Sequence, residues 1–277
     1  GIPEKWILSR VNTLVKDVTN HIERYDFGIA LQKIYEFIWE EFCDWYIELV
    51  KPRLYDSEAP GRIESLYVLN KVLSISLKLL HPFMPFVTEE IYSNLIHDDE
   101  SIMISKWPEY AEKDAYMEEE NQMNVIMNAI KAIRNIRADM NVPPSRKAKA
   151  ILVVSDDQLE SIYTTGSVFF EKLAYCSEIV VTKSKERIDK NYVSAVVEGC
   201  EIYIPLGDLI DIEKEIQRLQ DEKKKLESEI DRVTKKLSNE GFVSKAPQQV
   251  IDAEREKKGK YEDMYAKVNE RINALVQ

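Results

Sequence analysis

The chain has 277 residues, of which 44% are hydrophobic and 31% are charged, with a net charge of −11 and only 8 glycines. This length suggests two or three domains. The net negative charge disfavours binding of nucleic acid over the whole surface. The scarcity of glycine disfavours phosphate-binding loops. No apolar run approaches the roughly 20 residues of a membrane-spanning helix.

The cysteines and the N-terminus indicate the setting of the chain. Cys43, Cys176 and Cys200 are far apart and form no CxxC pair. This pattern argues for a reducing, cytoplasmic setting and against a structural zinc site. The first residues lack the basic-then-apolar order of a signal peptide and contain no initiator Met. We therefore expect the chain to be an excised or processed part of a longer protein.

The first 140 residues predict an antiparallel helix bundle with short connections. Apolar spacing gives its predicted helices: residues 3–24, 29–50, 63–80, a fourth to about residue 96, and 116–140. The second is apolar nearly all round, which is typical of a central, buried helix. Its aromatic residues could form a platform for unpaired bases, although core packing is the simpler interpretation. They are Tyr35, Trp39, Phe42, Trp45 and Tyr46.

A proline-containing corner, residues 79–92 with the sequence LLHPFMPFVTEEIY, separates two of these helices. The prolines end the first helix because proline donates no N–H and disfavours helix before it. The acidic residues that follow begin the next helix, where the helix dipole favours them. We expect Phe83, Met84 and Phe86 to plug this corner, and His81 to be a structural histidine with a hydrogen-bond partner.

A basic segment lies at the end of the bundle. Residues 131–149 contain six basic residues and one acid, although the chain outside 208–277 carries 23 basic and 33 acidic residues. Lys131, Arg134 and Arg137 are spaced three apart and form a row that drifts around the helix, and the stiff turn after them adds Arg146 and Lys147. The row is either a solvated stripe, with Arg137 partly packed, or a salt-sensitive surface for phosphate.

The spacing of apolar residues changes at residue 148, and residues 148–207 are predicted to form a small α/β module. Strands are predicted at 150–154 and 178–182, a helix at about 156–172, and a hairpin of 192–197 and 201–205 around Gly199. No glycine-rich turn follows a strand, so the module lacks a nucleotide-binding fingerprint. We interpret it as a spacer or a docking platform.

Residues 208–277 predict an antiparallel coiled-coil hairpin. Apolar residues alternate spacings of three and four over four heptads, interrupted by Lys223, and a second series after a break at 238–247 keeps the same period. Such an arm would be roughly 40 Å long. Its candidate RNA contacts, each of which could equally be part of an ordinary charged face, are Lys223, Lys224, Lys225, Arg232, Lys235, Lys236 and Lys245.

No catalytic or metal-binding pattern accompanies these elements. His21, His81 and His97 are scattered, and the chain has no GxSxG motif, P-loop or paired Cys/His arrangement. An enzyme of unknown type would require a pocket with converging polar groups, which the sequence does not indicate.

The order of these parts resembles a known family. The motifs are WEEFCDWY at 39–46, LHPFMPFVTEE at 80–90, WP at 107–108, RNIRADMNVPP at 134–144 and LSNEGFVSKAP at 237–247. Over essentially the whole chain they are similar to the C-terminal part of bacterial valyl-tRNA synthetases. The corner motif is shared with the leucyl and isoleucyl relatives, but the hairpin turn is more specific to the valyl family, and the missing cysteine cluster counts against the isoleucyl one.

The resemblance implies three domains: an anticodon-binding bundle (1–147), a linker module (148–207) and an arm that packs against the tRNA elbow (208–277). The ATP-binding signatures of the family, HIGH and KMSKS, are absent. We therefore expect no active site and no cofactor here, whereas the parent enzyme would be an ATP-dependent valine–tRNA ligase that uses ATP and magnesium. The implied partners are tRNA(Val) and the missing N-terminal catalytic and editing domains, and the implied state is a cytoplasmic monomer.

We therefore hypothesise that the chain is a tRNA-recognition module. The basic row and turn would contact the tRNA near the anticodon stem, and the arm cations would contact the backbone at the elbow. The alternative is a structural coiled-coil adaptor that binds a protein through the hairpin. Such an adaptor would be indifferent to Lys235→Glu or Lys245→Glu.

Overall fold

The structure, a computed structural model, describes residues 1–186, 188, 191–244 and 247–276. The chain divides into two compact units, residues 1–189 with 193–204 and residues 190–192 with 205–277. The first contains a helix bundle and a small mixed sheet, and the second contains a helical hairpin. The predicted fold class, mainly α with a small α/β module and a C-terminal antiparallel coiled-coil hairpin, is confirmed.

The bundle is built around its first helix. Its elements are α1 (Ile2–Glu23), α2 (Phe27–Glu36), a wider π-helical segment (Phe37–Ile47), α3 (Glu48–Tyr55), α4 (Arg62–Leu80), α5 (Pro85–Tyr92) and α6 (Met117–Asp139). Ile7, Val11 and Val18 of α1 recur at helical spacing and are at most 1% exposed. These side chains are enclosed because α1 packs against α2, α4 and α6.

The continuous run from α2 to α3 is not the fully buried centre that its composition predicts. Phe42, Trp45 and Tyr46 are buried, as core packing requires, but Tyr35 is 60% and Trp39 is 55% exposed. The central position belongs to α1, so this run buries only part of its apolar surface. An apolar composition shows that a helix face is able to pack against other elements. The tertiary arrangement decides whether another element covers that face.

The corner between α4 and α5 is held by polar groups rather than plugged by aromatic ones. His81 Nδ1 lies 2.7 Å from the hydroxyl of Thr88, which donates to the carbonyl of Met84 at 2.8 Å. The predicted structural role of His81 is thus confirmed. Phe86, however, is 90% exposed and Met84 is 49% exposed, so the predicted apolar plug is wrong for these two residues. The Thr88 side chain therefore joins the start of α5 to the end of α4, through its contacts with Met84 and His81.

The α/β module forms a four-stranded sheet within the described residues. Its elements are β1 (Ala148–Val154), α7 (Asp157–Thr165), α8 (Ser167–Leu173), β2 (Cys176–Thr182), β3 (Tyr192–Val197) and β4 (Cys200–Pro205), in the sheet order β2-β1-β4-β3. β1 pairs parallel to β2 and antiparallel to β4. The single helix predicted at 156–172 is two helices that break at Gly166, where a Cβ would lie 2.6 Å from the Cδ1 of Ile126.

The second unit is the predicted hairpin. After α9 (Leu206–Leu209), the long helices α10 (Ile212–Leu237) and α12 (Gln248–Val276) pack together, with short α11 (Glu240–Val243) in the break. Lys223 meets Asn269, and Lys236 meets Glu254 further along, so the helices run antiparallel. Leu219, Leu226 and Val268 form the buried seam, with Tyr261, Tyr265 and Ile272 beside them.

Candidate nucleic-acid interface

Two cations of the predicted basic row lie over one buried tryptophan. Arg134 Cζ is 5.3 Å and Lys131 Nζ is 5.7 Å from the centre of the Trp45 ring, which is 5% exposed. The face of an aromatic ring attracts cations, so Trp45 keeps these two like charges close together. Arg134 Nε also donates to the carbonyl of Leu173 at 2.6 Å. Lys131 is exposed and Arg134 is half-buried, so together they offer an anion two positive charges.

Arg137 turns into the protein instead. It is 4% exposed, and its Nη2 donates to the carbonyls of Pro143 at 3.0 Å and Arg146 at 2.7 Å. Its guanidinium lies over the ring of Tyr175 at 5.4 Å. Burial lowers the pKa of Arg137, and within the described residues it forms no ion pair. The RNA contact predicted at Arg137 stays untested, but the side chain is enclosed and holds the turn that follows α6, so Arg137 is left out of the contacts proposed below.

That turn carries the remaining two candidates of the bundle. Asn141 adopts φ 54°, a left-handed conformation that asparagine tolerates at the end of a helix. The N–H of Val142 then donates to the carbonyl of Arg137 at 2.9 Å. The turn leaves Arg146 half-buried and Lys147 exposed. Lys147 is therefore accessible to a large ligand, and Arg146 is accessible in part.

Sequence reasoning missed the two aromatic residues that organise this surface. The ring of Trp45 makes cation–π contacts with Lys131 and Arg134, and the ring of Tyr175 makes one with Arg137. Each ring is far from its cations in the sequence, so no local spacing joins them. The sequence places Trp45 among aromatic residues that either pack in the core or stack on unpaired bases, and it does not connect this residue with the basic row. Tyr175 has φ 55° and follows α8, which no pattern in the sequence indicates.

The candidate cations of the arm fall into two groups. The first group makes contacts that join the two long helices, α10 and α12. Lys223 Nζ donates to Asn269 Oδ1 at 2.7 Å and lies over the Tyr265 ring at 5.3 Å. Lys236 forms an ion pair with Glu254 at 2.6 Å. These contacts explain how a seam tolerates polar residues, since each charge has a partner on the opposite helix.

The second group lies on the outer surface of α10. Arg232 and Lys235 pair with acids of the same helix, Glu229 and Asp231, both at 2.6 Å. Such exposed pairs contribute little stability, so a phosphate can replace the acid. Lys224 and Lys225 are exposed and form no ion pair in the described part of the chain, so both are accessible to a large ligand. Lys245 lies outside the described residues.

The residues that the structure describes also bear on metal binding and on membrane spanning. These residues contain no group of three or more His, Cys, Asp or Glu side chains that could hold a metal ion. In the same ranges, no helix combines the length and apolarity needed to cross a lipid bilayer.

The bundle and the hairpin each match a known family of tRNA-binding domains. Residues 4–152 match the family described as the anticodon-binding domain of tRNA ligase, and the chain belongs to this family. Residues 211–276 match the valyl-tRNA synthetase tRNA-binding arm. The resemblance drawn from the sequence motifs is confirmed, and it covers both the bundle and the hairpin.

Curated relatives of the chain include several valine–tRNA ligases. Those of Clostridium acetobutylicum and Clostridium perfringens are 52% and 51% identical over 275 residues, which are 99% of this chain and 31% of each relative. The Bacillus subtilis ligase is 41% identical over 261 residues, 94% of this chain and 30% of the relative. The chain thus spans about a third of the length of the relatives it matches, in their C-terminal region.

Proposed function

We propose that this chain is the tRNA-recognition portion of a valine–tRNA ligase. The observation that carries the proposal is the presence, in one chain, of matches to an anticodon-binding domain and to a valyl tRNA-binding arm. In the proposal, Lys131, Arg134, Arg146 and Lys147 contact phosphates or bases near the anticodon stem. The arm contacts the tRNA elbow through Lys224 and Lys225, with exchangeable contributions from Arg232 and Lys235.

The contribution of such a module is positional. Two separate contacts fix the tRNA so that its acceptor end reaches a catalytic domain, which removes orientational freedom before the reaction. The whole protein would be a ligase that uses ATP and magnesium, with tRNA(Val) and the N-terminal catalytic and editing domains as partners. We also propose that the protein is a monomer and that it is cytoplasmic. The three free cysteines are consistent with a reducing compartment.

The net charge of the chain restricts how it can bind RNA. The chain as a whole carries −11, so long-range repulsion opposes RNA, and binding must come from local cations. Each phosphate contact then releases counterions, and affinity falls steeply with salt. A chain of this kind depends on a few accessible lysines and arginines rather than on its total charge.

The test is binding of the full chain to tRNA(Val) and to a non-cognate tRNA at about 50 and 200 mM salt. We expect preferential, salt-dependent binding to tRNA(Val). The pair Lys131→Glu with Lys147→Glu should weaken it by about tenfold or more and lower the salt slope by about 2. The matched control, Lys106→Glu with Lys113→Glu, changes two exposed bundle lysines by the same charge and should have a much smaller effect.

The outcomes separate this proposal from a protein-binding adaptor. Loss of tRNA binding on Lys224→Glu with Lys225→Glu supports an RNA-binding arm. If the bundle and arm pairs have no more effect than the control pair, the proposed contacts are wrong. If the chain binds no tRNA even at low salt, the portion does not suffice for recognition, and the adaptor becomes the better account.

A further inference from the structure

A cleft that the proposed function leaves unused lies between the first half of α6 and helix α7. It has a volume of about 590 Å³, within the range of small-molecule pockets, and the turn between β3 and β4 also lines it. No Lys or Arg lines the cleft in the described part of the chain, whereas Glu118, Asp156 and Glu198 do. The cleft therefore disfavours phosphates and attracts cations.

Three asparagines of α6 line the cleft without a partner in the protein. Asn121, Asn124 and Asn128 are exposed on one face of the helix, and none of their side chains forms a hydrogen bond with another described residue. Asparagine is a poor helix former, because its side chain competes for backbone hydrogen bonds. Three of them inside one helix cost stability, and no contact with the protein offsets this cost. Their amide oxygens are free to accept hydrogen bonds from a ligand.

Helix α7 adds a buried hydroxyl to the wall of the cleft. Tyr163 lines the cleft and is fully buried, and its hydroxyl has no hydrogen-bond partner among the described residues. Burial raises the pKa of Tyr163, so the hydroxyl stays neutral and can donate or accept. A buried polar group without a partner is costly, and a donor that enters from the cleft would remove that cost.

The spread of the negative groups distinguishes an extended cation from a metal ion. A metal ion needs several ligands that converge within bonding distance. The described residues contain no group of three or more His, Cys, Asp or Glu side chains that could hold one. The three carboxylates of the cleft therefore do not converge on one point, but a ligand with several charges along a chain can reach them separately.

The spacing of the asparagines indicates the length of that chain. Steps of three and four residues place Asn124 about 4.5 Å and Asn128 about 6 Å further along the helix axis than the asparagine before it. At ordinary C–N and C–C bond lengths, nitrogens separated by three and by four methylene groups are about 5 and 6 Å apart in an extended chain. The methylene groups would lie on apolar residues of the cleft such as Val125 and Leu159.

We propose that the cleft between α6 and α7 binds a linear aliphatic triamine whose nitrogens are separated by three and by four methylene groups. Its ammonium groups donate to the amide oxygens of the three asparagines, and one of them reaches the hydroxyl of Tyr163. The three carboxylates of the cleft supply the opposite charge. The inference goes beyond the proposed function and does not depend on it.

Isothermal titration of the full chain with spermidine at about 50 mM salt tests this inference without RNA. We expect saturable binding of one molecule per chain, and weaker binding of norspermidine and homospermidine, whose two spacers are both shorter or both longer. Asn124→Ala with Asn128→Ala should weaken spermidine binding by about tenfold or more, because hydrogen bonds to charged groups are lost. This variant should stay folded, since alanine is a better helix former than asparagine. The matched control, Asn20→Ala with Asn135→Ala, changes two exposed helical asparagines outside the cleft and should leave binding unchanged.

Removal of charge provides the second test. Glu118→Gln with Glu198→Gln should weaken spermidine binding by about tenfold. Glu36→Gln with Glu40→Gln removes the same charge from exposed positions of the bundle and should have little effect.

Three results would overturn the inference. The first is the absence of spermidine binding at millimolar concentration, and the second is unaltered binding by the double asparagine variant. The third is an equal effect of the two glutamate pairs, which would show that spermidine responds only to net charge. Tighter binding of a trilysine peptide than of spermidine, sensitive to the same asparagines, would assign the cleft to a basic polypeptide instead.

Discussion

Arg137 and Lys131 lie on one helix and carry the same charge, yet the structure gives them opposite roles. Arg137 is enclosed and holds two backbone carbonyls, whereas Lys131 is exposed over Trp45. A buried charged donor that satisfies buried acceptors is costly to remove, because the acceptors are left without partners. An exposed lysine can be changed with little effect on folding.

We therefore predict that Arg137→Met lowers the free energy of unfolding by about 2–4 kcal/mol, while Lys131→Met changes it by less than about 0.5 kcal/mol. Urea unfolding followed by circular dichroism measures both. Lys131→Met should weaken tRNA binding at temperatures where it stays folded. An Arg137→Met protein of normal stability would show that the carbonyl contacts do not hold the turn.

The cysteines provide a prediction about reactivity. Burial raises the pKa of Cys176 to about 12 and that of Cys200 to about 11. At pH 8 the reactive thiolate is then about one part in ten thousand for Cys176 and one in a thousand for Cys200. We expect iodoacetamide to modify half-buried Cys43 first and the other two only in urea, as peptide mass spectrometry would show. Rapid native labelling of Cys176 would contradict its burial.

At the scale of elements, the turn between β3 and β4 depends on one glycine. Gly199 has φ +69°, and a Cβ there would lie 2.5 Å from Leu159 Cδ1 and 3.2 Å from Ser155 Oγ. The left-handed conformation alone costs an alanine about 1–2 kcal/mol. We predict that Gly199→Ala lowers unfolding free energy by at least this amount. The control is Gly28→Ala, where a Cβ meets nothing within 4 Å, and it should be neutral or stabilising in chemical denaturation.

The arm is the element whose stability is most local, since one seam holds its two helices together. Leu226 is 6% exposed and packs in that seam, while the neighbouring Lys224 is exposed. We predict that Leu226→Ala costs about 2–5 kcal/mol and speeds amide exchange in α10 and α12, whereas Lys224→Ala leaves exchange nearly unchanged. If exchange in the arm were the same for both variants, the seam would not be what holds the hairpin.

At the scale of the whole molecule, the proposal requires two separate surfaces that act on the same tRNA. Charge reversals at Lys131 and Lys147 and at Lys224 and Lys225 lie in different compact units. Because independent sites add, the combined variant should lose the sum of the two binding free energies to within about 0.5 kcal/mol. Fluorescence titration of the three variants tests this. A combined loss no greater than the larger single loss would mean that the two surfaces are not engaged at once.

The sequence by itself determined the order and type of the main elements. Helical spacing predicted α1, α4 and α6 closely, the strand runs predicted the four strands, and the heptads of 209–237 predicted the hairpin. These succeed because the period of apolar residues is a local property that a single helix or strand already satisfies. The motifs at 80–90, 134–144 and 237–247 further indicated the family that the comparisons show.

Only the tertiary structure decided which faces are covered. The same apolar run contains buried Tyr46 and exposed Trp39, and the same basic row contains exposed Lys131 and buried Arg137. Spacing fixes the side of a helix on which a residue lies, but burial depends on elements that are distant in the sequence. The contacts of Trp45 with Lys131 and Arg134, and of Tyr175 with Arg137, join residues that are distant in the sequence. Tyr35 remains exposed because no described element covers it.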